Sequence, residues 1–84
     1  MMTVEKTIGK MRTSAGNISF DELVAVCDAL FGKGRVKGSH HIYKIPGIPG
    51  GVNIQDNGHG KAKAYQVKQV LKAIEKVKGA EDGL

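Results

Sequence analysis

This chain is short of cysteine, of aromatic residues and, past its first third, of acidic ones, and each scarcity removes a class of protein. Its single cysteine, Cys27, cannot form an internal disulfide and has no second cysteine with which to build a zinc knuckle or ribbon. A disulfide-stapled secreted scaffold is excluded, and a reducing, cytoplasmic setting is expected. Tryptophan is absent, and the aromatics are Phe20, Phe31, Tyr43 and Tyr65, so the core must be mainly aliphatic. No apolar run approaches membrane-spanning length, and the opening Met1-Met2-Thr3-Val4-Glu5-Lys6 lacks the charged-then-apolar order of a secretion signal. A soluble chain with no membrane partner is therefore expected. At 84 residues it is large enough for one modest core that every element must share.

The charge is unevenly spread. Residues 1 to 32 sum to −1, with Lys6, Lys10 and Arg12 against Glu5, Asp21, Glu22 and Asp28. Residues 33 to 80 carry ten cations against Asp56 and Glu75, a surplus of +8 within an overall +5. A field of this sign gathers polyanions at the surface and speeds their encounter with it, which points to nucleic acid or an acidic protein as partner. The plainer alternative is that the lysines serve solubility.

Ser19-Phe20-Asp21-Glu22 reads as a capping box, followed by Phe20, Leu23, Val24, Cys27, Leu30 and Phe31 at helical spacing and by Gly32 where a helix ends. Cys27 falls on the apolar face, as a buried thiol would. Between Gly34 and Gln55 the period changes to two: a short strand around Val36, a second over His40 to Ile45 and a third over Val52 to Gln55, with Pro46 to Gly51 as turn chemistry. After the breaker cluster Asn57-Gly58-His59-Gly60, helical spacing resumes through Tyr65, Val67, Val70, Leu71, Ile74 and Val77, so a final helix is predicted from about Ala64 to Lys78, stopped by Gly79. Thr3 to Thr13 carries Val4, Ile8 and Met11 as a further short helix, weakened by Gly9. The order is α+β, helix, three antiparallel strands, helix, with an extra N-terminal helix. The boundaries are an N-terminal extension over residues 1–18, a core domain over 19–78 and a frayed tail over 79–84.

Gly38-Ser39-His40 opens the second strand, and alternation puts His40, Ile42 and Lys44 on one face and His41, Tyr43 and Ile45 on the other. Two helices cover one face of a three-stranded sheet, and the bulky Tyr43 and Ile45 belong on that covered side. His40 then lies on the open face beside Lys44, and a slip of one residue would exchange it with His41. Two roles fit His40: a strand-end residue bonded to a nearby carbonyl, or an imidazole that deprotonates an RNA 2′-hydroxyl or protonates a leaving 5′-oxygen while Lys37 or Lys44 steadies charge at phosphorus. Ser39 either orients a phosphate or caps the turn. Lys68, Lys72 and Lys76, one turn apart, are either a solvated helix face or, with Lys61 and Lys63 near the helix start, a clamp on RNA backbone. His59 sits between glycines as a loop residue. The three histidines with Asp56 match no standard ligand spacing, so neither metal nor cofactor is expected. Without proton transfer at His40, the same basic surface makes a non-catalytic RNA-binding module; without RNA affinity, it serves an acidic protein.

Gly38-Ser39-His40-His41-Ile42-Tyr43, followed by Val52-Asn53-Ile54-Gln55, Gly60-Lys61-Ala62-Lys63 and Tyr65-Gln66-Val67-Lys68-Gln69-Val70, resembles the HicA toxin family over roughly residues 19 to 78. The resemblance implies a fold like a double-stranded RNA-binding domain and a ribosome-independent mRNA interferase activity with the catalytic histidine at His40. It also implies a HicB-type antitoxin that covers the active face, with operator DNA contacted mainly through that antitoxin. The chain departs from the family pattern at Ala64, where a proline is expected, and adds a second imidazole at His41.

Overall fold

From the N-terminus, the computed structural model, which describes residues 3–82, runs through helix α1 (Val4–Thr13), a 3₁₀ turn (Ala15–Asn17), helix α2 (Phe20–Phe31), strands β1 (Arg35–Lys37), β2 (His40–Ile45) and β3 (Ile48–Gln55), and helix α3 (Ala64–Asp82). The strands form one antiparallel sheet in the order β1-β2-β3, so the protein is α+β. The expected order of elements is present, including the extra N-terminal helix.

The capping box starts α2 as expected: Ser19 Oγ accepts from the Glu22 amide and Glu22 Oε1 accepts from the Ser19 amide, each at 3.0 Å. Gly32, with φ +81°, ends it. The Ser19 amide donating to Glu22 holds this carboxyl below the ordinary carboxylate value against a small desolvation cost, and the Ser19 hydroxyl and Lys10 add to the effect. Lys10 Nζ reaches Glu22 Oε2 at 3.4 Å, which ties α1 to the start of α2. A depressed folded-state pKa gives stability that is present above the unfolded value and lost as pH falls through the folded one. Ser19→Ala is therefore expected to cost about 1 kcal/mol at neutral pH, and Glu22→Gln to flatten the acid limb of the stability curve; urea titrations across pH check both.

The buried side of the molecule is one cluster: Met11, Ile18, Leu23, Val26, Cys27, Tyr43, Ile45, Val52, Ile54, Ala62, Val67, Val70, Ala73 and Ile74. Full burial of a side chain such as Met11, Leu23 or Ile54 contributes about 1.5–3 kcal/mol. Met11 and Ile18 are completely buried, so residues 3–18 belong to the shared core, and residue 18 is not a boundary of packing. Thr3 caps α1 by accepting from the Lys6 amide, and this offsets the weakness introduced by Gly9.

Three sequence expectations need correction. First, α2 is rotated slightly from the face read off its spacing: Val26 is buried and Leu30 is 42% exposed, because the helix packs on β2 with its Leu23-Val26-Cys27 side. Second, the turn expected over Pro46 to Gly51 is only Pro46-Gly47, closed by the Ile45–Ile48 pair, and β3 begins at Ile48. Pro46 followed by Gly47 at φ +84° is the residue order of a type II turn. Third, α3 passes through Gly79 to Asp82 instead of stopping there, since one glycine costs only about 1 kcal/mol in a helix and no proline follows. Of the tail expected to fray, residues 83–84 lie outside the described residues.

Tyr43 sets the register of the sheet. Its hydroxyl donates to Asp28 Oδ1 at 2.8 Å, its ring lies 6.5 Å from Phe31, and Gly34 passes so close that a Cβ there would meet the ring at 2.6 Å. Burial, and then the Asp28 carboxylate, push the phenol above its ordinary pKa, so it stays a neutral donor. Anchored in this way, β2 cannot slip by one residue without pulling Tyr43 out of the core.

Candidate functional site

The register decides which histidine is available. Tyr43, Ile45, Val52 and Ile54 face the helices, and His41 shares that side at the sheet end, its ring 5.1 Å from Phe20 and nearly perpendicular to it. His40 points the other way, onto the face that carries the exposed Arg35, Lys37, Lys44 and Asn53, as alternation predicted. Across β1 and β3 its pairing partners are Lys37 and Gln55.

The Gly38-Ser39 corner places this residue. Lys37 pairs directly with His40, leaving a two-residue hairpin turn with Gly38 at φ +62°, the arrangement in which the first turn position must take a positive φ. Ser39 does not cap that turn with a backbone bond; its Oγ accepts from Gln55 Nε2 at 2.8 Å. Gln55 Oε1 accepts in turn from Lys63 Nζ at 3.2 Å, and the Gln55 amide donates to Gln66 Oε1 at 2.9 Å. One residue, through its side chain and its backbone amide, thus gathers the hairpin corner, the segment before α3 and the first turn of α3 around the end of β3.

His40 Nδ1 lies 2.9 Å from Asn53 Oδ1, the diagonal neighbour on the same face of β3. With Asn53 Oδ1 as the acceptor, Nδ1 is the donating nitrogen, which leaves Nε2 free of this bond. Nucleophile activation requires this: one ring nitrogen held by a fixed acceptor, and the other able to take a proton. Asn53 and Gln55 were not singled out from the sequence. The signal available was the polar alternation of Val52-Asn53-Ile54-Gln55, which carries meaning only once the pairing to β2 is known. Arg35 was likewise passed over; paired with Ile42, it joins Lys37 on the open face.

The expected cations divide into two groups. Lys37 and Lys63 stand next to the His40-Gln55 pair, one across β1 and one through Gln55. Lys44 is on the same face but four residues further along β2, roughly 13 Å at strand rise, so it stands apart from the His40 end of the strand. Lys61 is exposed in the segment that bridges to Ser19 at the start of α2. Lys68 and Lys72 are exposed along α3, Lys72 lining a groove of about 340 Å³ with Ile48, Val52, Ala73 and Lys76.

The loop carrying His59 is self-contained. Asp56 Oδ1 accepts from the Gly58 and Gly60 amides, and Asn57 Oδ1 accepts from the His59 and Lys61 amides. Amides that would cradle a phosphate are already occupied. Cys27 is also set apart from the open face, buried between α2 and the sheet, where desolvation pushes the thiol up to about 12. Among the described residues no three His, Cys, Asp or Glu side chains converge as metal ligands, and no helix is long and apolar enough to cross a membrane.

The assembled face therefore holds an oriented imidazole, cations on both sides of it and amide side chains that donate and accept. Such a set can donate to an anionic group and exchange a proton. No family model, no curated protein and no solved structure matches the chain.

Proposed function

We propose that this chain is an endoribonuclease of the toxin type, resembling the HicA family: a ribosome-independent mRNA interferase on a fold like a double-stranded RNA-binding domain. The observation that carries the reading is the His40–Asn53 contact on an exposed cationic sheet face. In the proposed reaction, His40 Nε2 takes the proton of a 2′-hydroxyl while the Nδ1–H to Asn53 Oδ1 holds the ring in place. The 2′-oxygen attacks phosphorus, the P–O5′ bond breaks, and the departing 5′-oxygen takes its proton from water. Lys37, beside His40, neutralises the charge that builds on the phosphoryl oxygens, and Ser39 and Lys63, coupled through Gln55, position the adjoining phosphate. Lys44, Lys61, Lys68 and Lys72 hold more distant backbone.

The proposed protein partner is a HicB-type antitoxin that occupies this same face, and operator DNA is reached indirectly through it. The cationic second half, opposed by few acids, favours such a complex as it favours RNA.

Purified chain incubated with a single-stranded RNA is expected to shorten it, leaving a 2′,3′-cyclic phosphate, and a 2′-O-methyl group at the cleaved position is expected to block that cut. RNA that is retained at low salt but never shortened would replace this reading with a non-catalytic RNA-binding module of the same fold. Affinity that fails to rise as salt is lowered would remove RNA from the account altogether.

A further inference from the structure

Between Lys63, at the His40 end, and Lys68, the first lysine of the α3 stripe, the chain carries an aromatic residue, Tyr65. Tyr65 is 57% exposed, whereas Tyr43 is buried and Phe20 and Phe31 are half-buried. It occupies the first turn of α3, two residues after Lys63. Its hydroxyl accepts from Gln66 Nε2 at 3.4 Å, and the same Gln66 side chain accepts the Gln55 amide at 2.9 Å. Tyr65 is therefore linked by a single side chain to the end of β3, where Gln55 pairs with His40 and holds Lys63. In the other direction Lys68 and Gln69 follow at i+3 and i+4 on α3, both exposed, and Lys72 comes one turn later.

We infer that Tyr65 is a nucleobase subsite: its ring stacks on one unpaired base of an RNA strand that runs from the His40 face to the lysine stripe of α3. The inference rests on the nuclease reading and extends it. Lys63 on one side and Lys68 on the other are placed to hold the phosphates flanking the stacked nucleotide. Stacking is indifferent to base identity but needs a base free of a duplex, so the subsite selects single-stranded over paired RNA.

The exposed position of Tyr65 permits substitution without loss of the fold, which thermal melting checks. In a His40→Ala background, which prevents cleavage, Tyr65→Ala is expected to weaken binding of a fluorescein-labelled unstructured RNA by about ten-fold or more and to leave the salt dependence of binding unchanged, whereas Tyr65→Phe retains affinity. Tyr65→Trp introduces the only tryptophan in the chain, and its fluorescence is expected to be quenched by single-stranded RNA but not by a blunt duplex. Equal affinity for Tyr65→Ala and its parent, or an unquenched Tyr65→Trp at saturating RNA, overturns the subsite while leaving the nuclease reading intact. Absence of RNA binding by the parent itself overturns both.

Discussion

Replacing His40 with alanine is expected to reduce RNA cleavage by about 10²- to 10⁴-fold, the range a positioned acid-base group contributes, with the fold and RNA affinity retained. The ring is half-buried on an open face, so its loss opens no core cavity. Its one hydrogen bond is to an exposed Asn53, which water can then satisfy. The informative companion is His41→Ala. That ring packs edge-on against Phe20 on the covered side, so its removal is expected to cost about 1 kcal/mol of stability and to leave the cleavage rate unchanged. Asn53→Ala should fall between, lowering the rate because the imidazole loses the partner that orients its ring. Rates measured under single-turnover conditions, beside denaturation curves for the same variants, test the assignment. Undiminished cleavage by His40→Ala, or a collapse of cleavage in a fully folded His41→Ala, would show that the wrong histidine had been chosen.

Gly51→Ala is expected to destabilise the protein by at least about 3 kcal/mol, a large part of the stability of a domain this small. Two separate effects combine at this position. Its φ of +62° disfavours any Cβ, and a Cβ built there would collide with the Tyr43 carbonyl oxygen, a backbone atom with little freedom to move aside. Gly50 separates the two. It shares the positive φ, at +80°, but faces open space, so Gly50→Ala should cost only the conformational strain, about 1–2 kcal/mol. Equal losses at both sites in urea denaturation would refute the close-approach argument. The consequence reaches the site as well. Pro49, Gly50 and Gly51 lie opposite Lys44 alone, between the Tyr43–Val52 and Ile45–Ile48 pairs, and it is this irregularity that sets β3 against β2. Any rearrangement there shifts Asn53 relative to His40, so residual folded Gly51→Ala should cleave RNA less well than its folded fraction accounts for.

Local signals in the chain were accurate wherever a short-range interaction decides the outcome. The capping box needs only residues 19 to 22, and the Gly38-Ser39 corner only the space between two strands. The same holds for the placement of His40 and His41 on opposite faces, because alternation is a property of one strand. The orientation of the pair, which of the two faces solvent, needed the further premise that both helices cover one side.

Where the outcome depended on partners distant in sequence, spacing alone fell short. Leu30 and Tyr65 occupy positions of the apolar helical pattern, yet both are exposed, since each helix buries only the arc that its neighbours leave room for. The N-terminal stretch lies outside the core domain read from the sequence, and the burial of Met11 and Ile18 in the same cluster as residues from α2, β3 and α3 makes it part of the whole. Lys44 shares a face with His40 but sits further along the strand, while Lys63 reaches the end of β3 through Gln55, eight residues away in sequence.

Composition and periodicity by themselves determined the class of elements, their order, the uneven positive field and the histidine on the open strand face, because each follows from residue type and local spacing. Tertiary structure alone decided that Asn53 bonds that histidine, that Gln55 collects Ser39 and Lys63 beside it, and that Tyr65 is exposed and linked through Gln66 to the end of β3. These are side-chain meetings across strands and helices, and they exist only once the register is set by Tyr43 buried against Asp28 and Phe31.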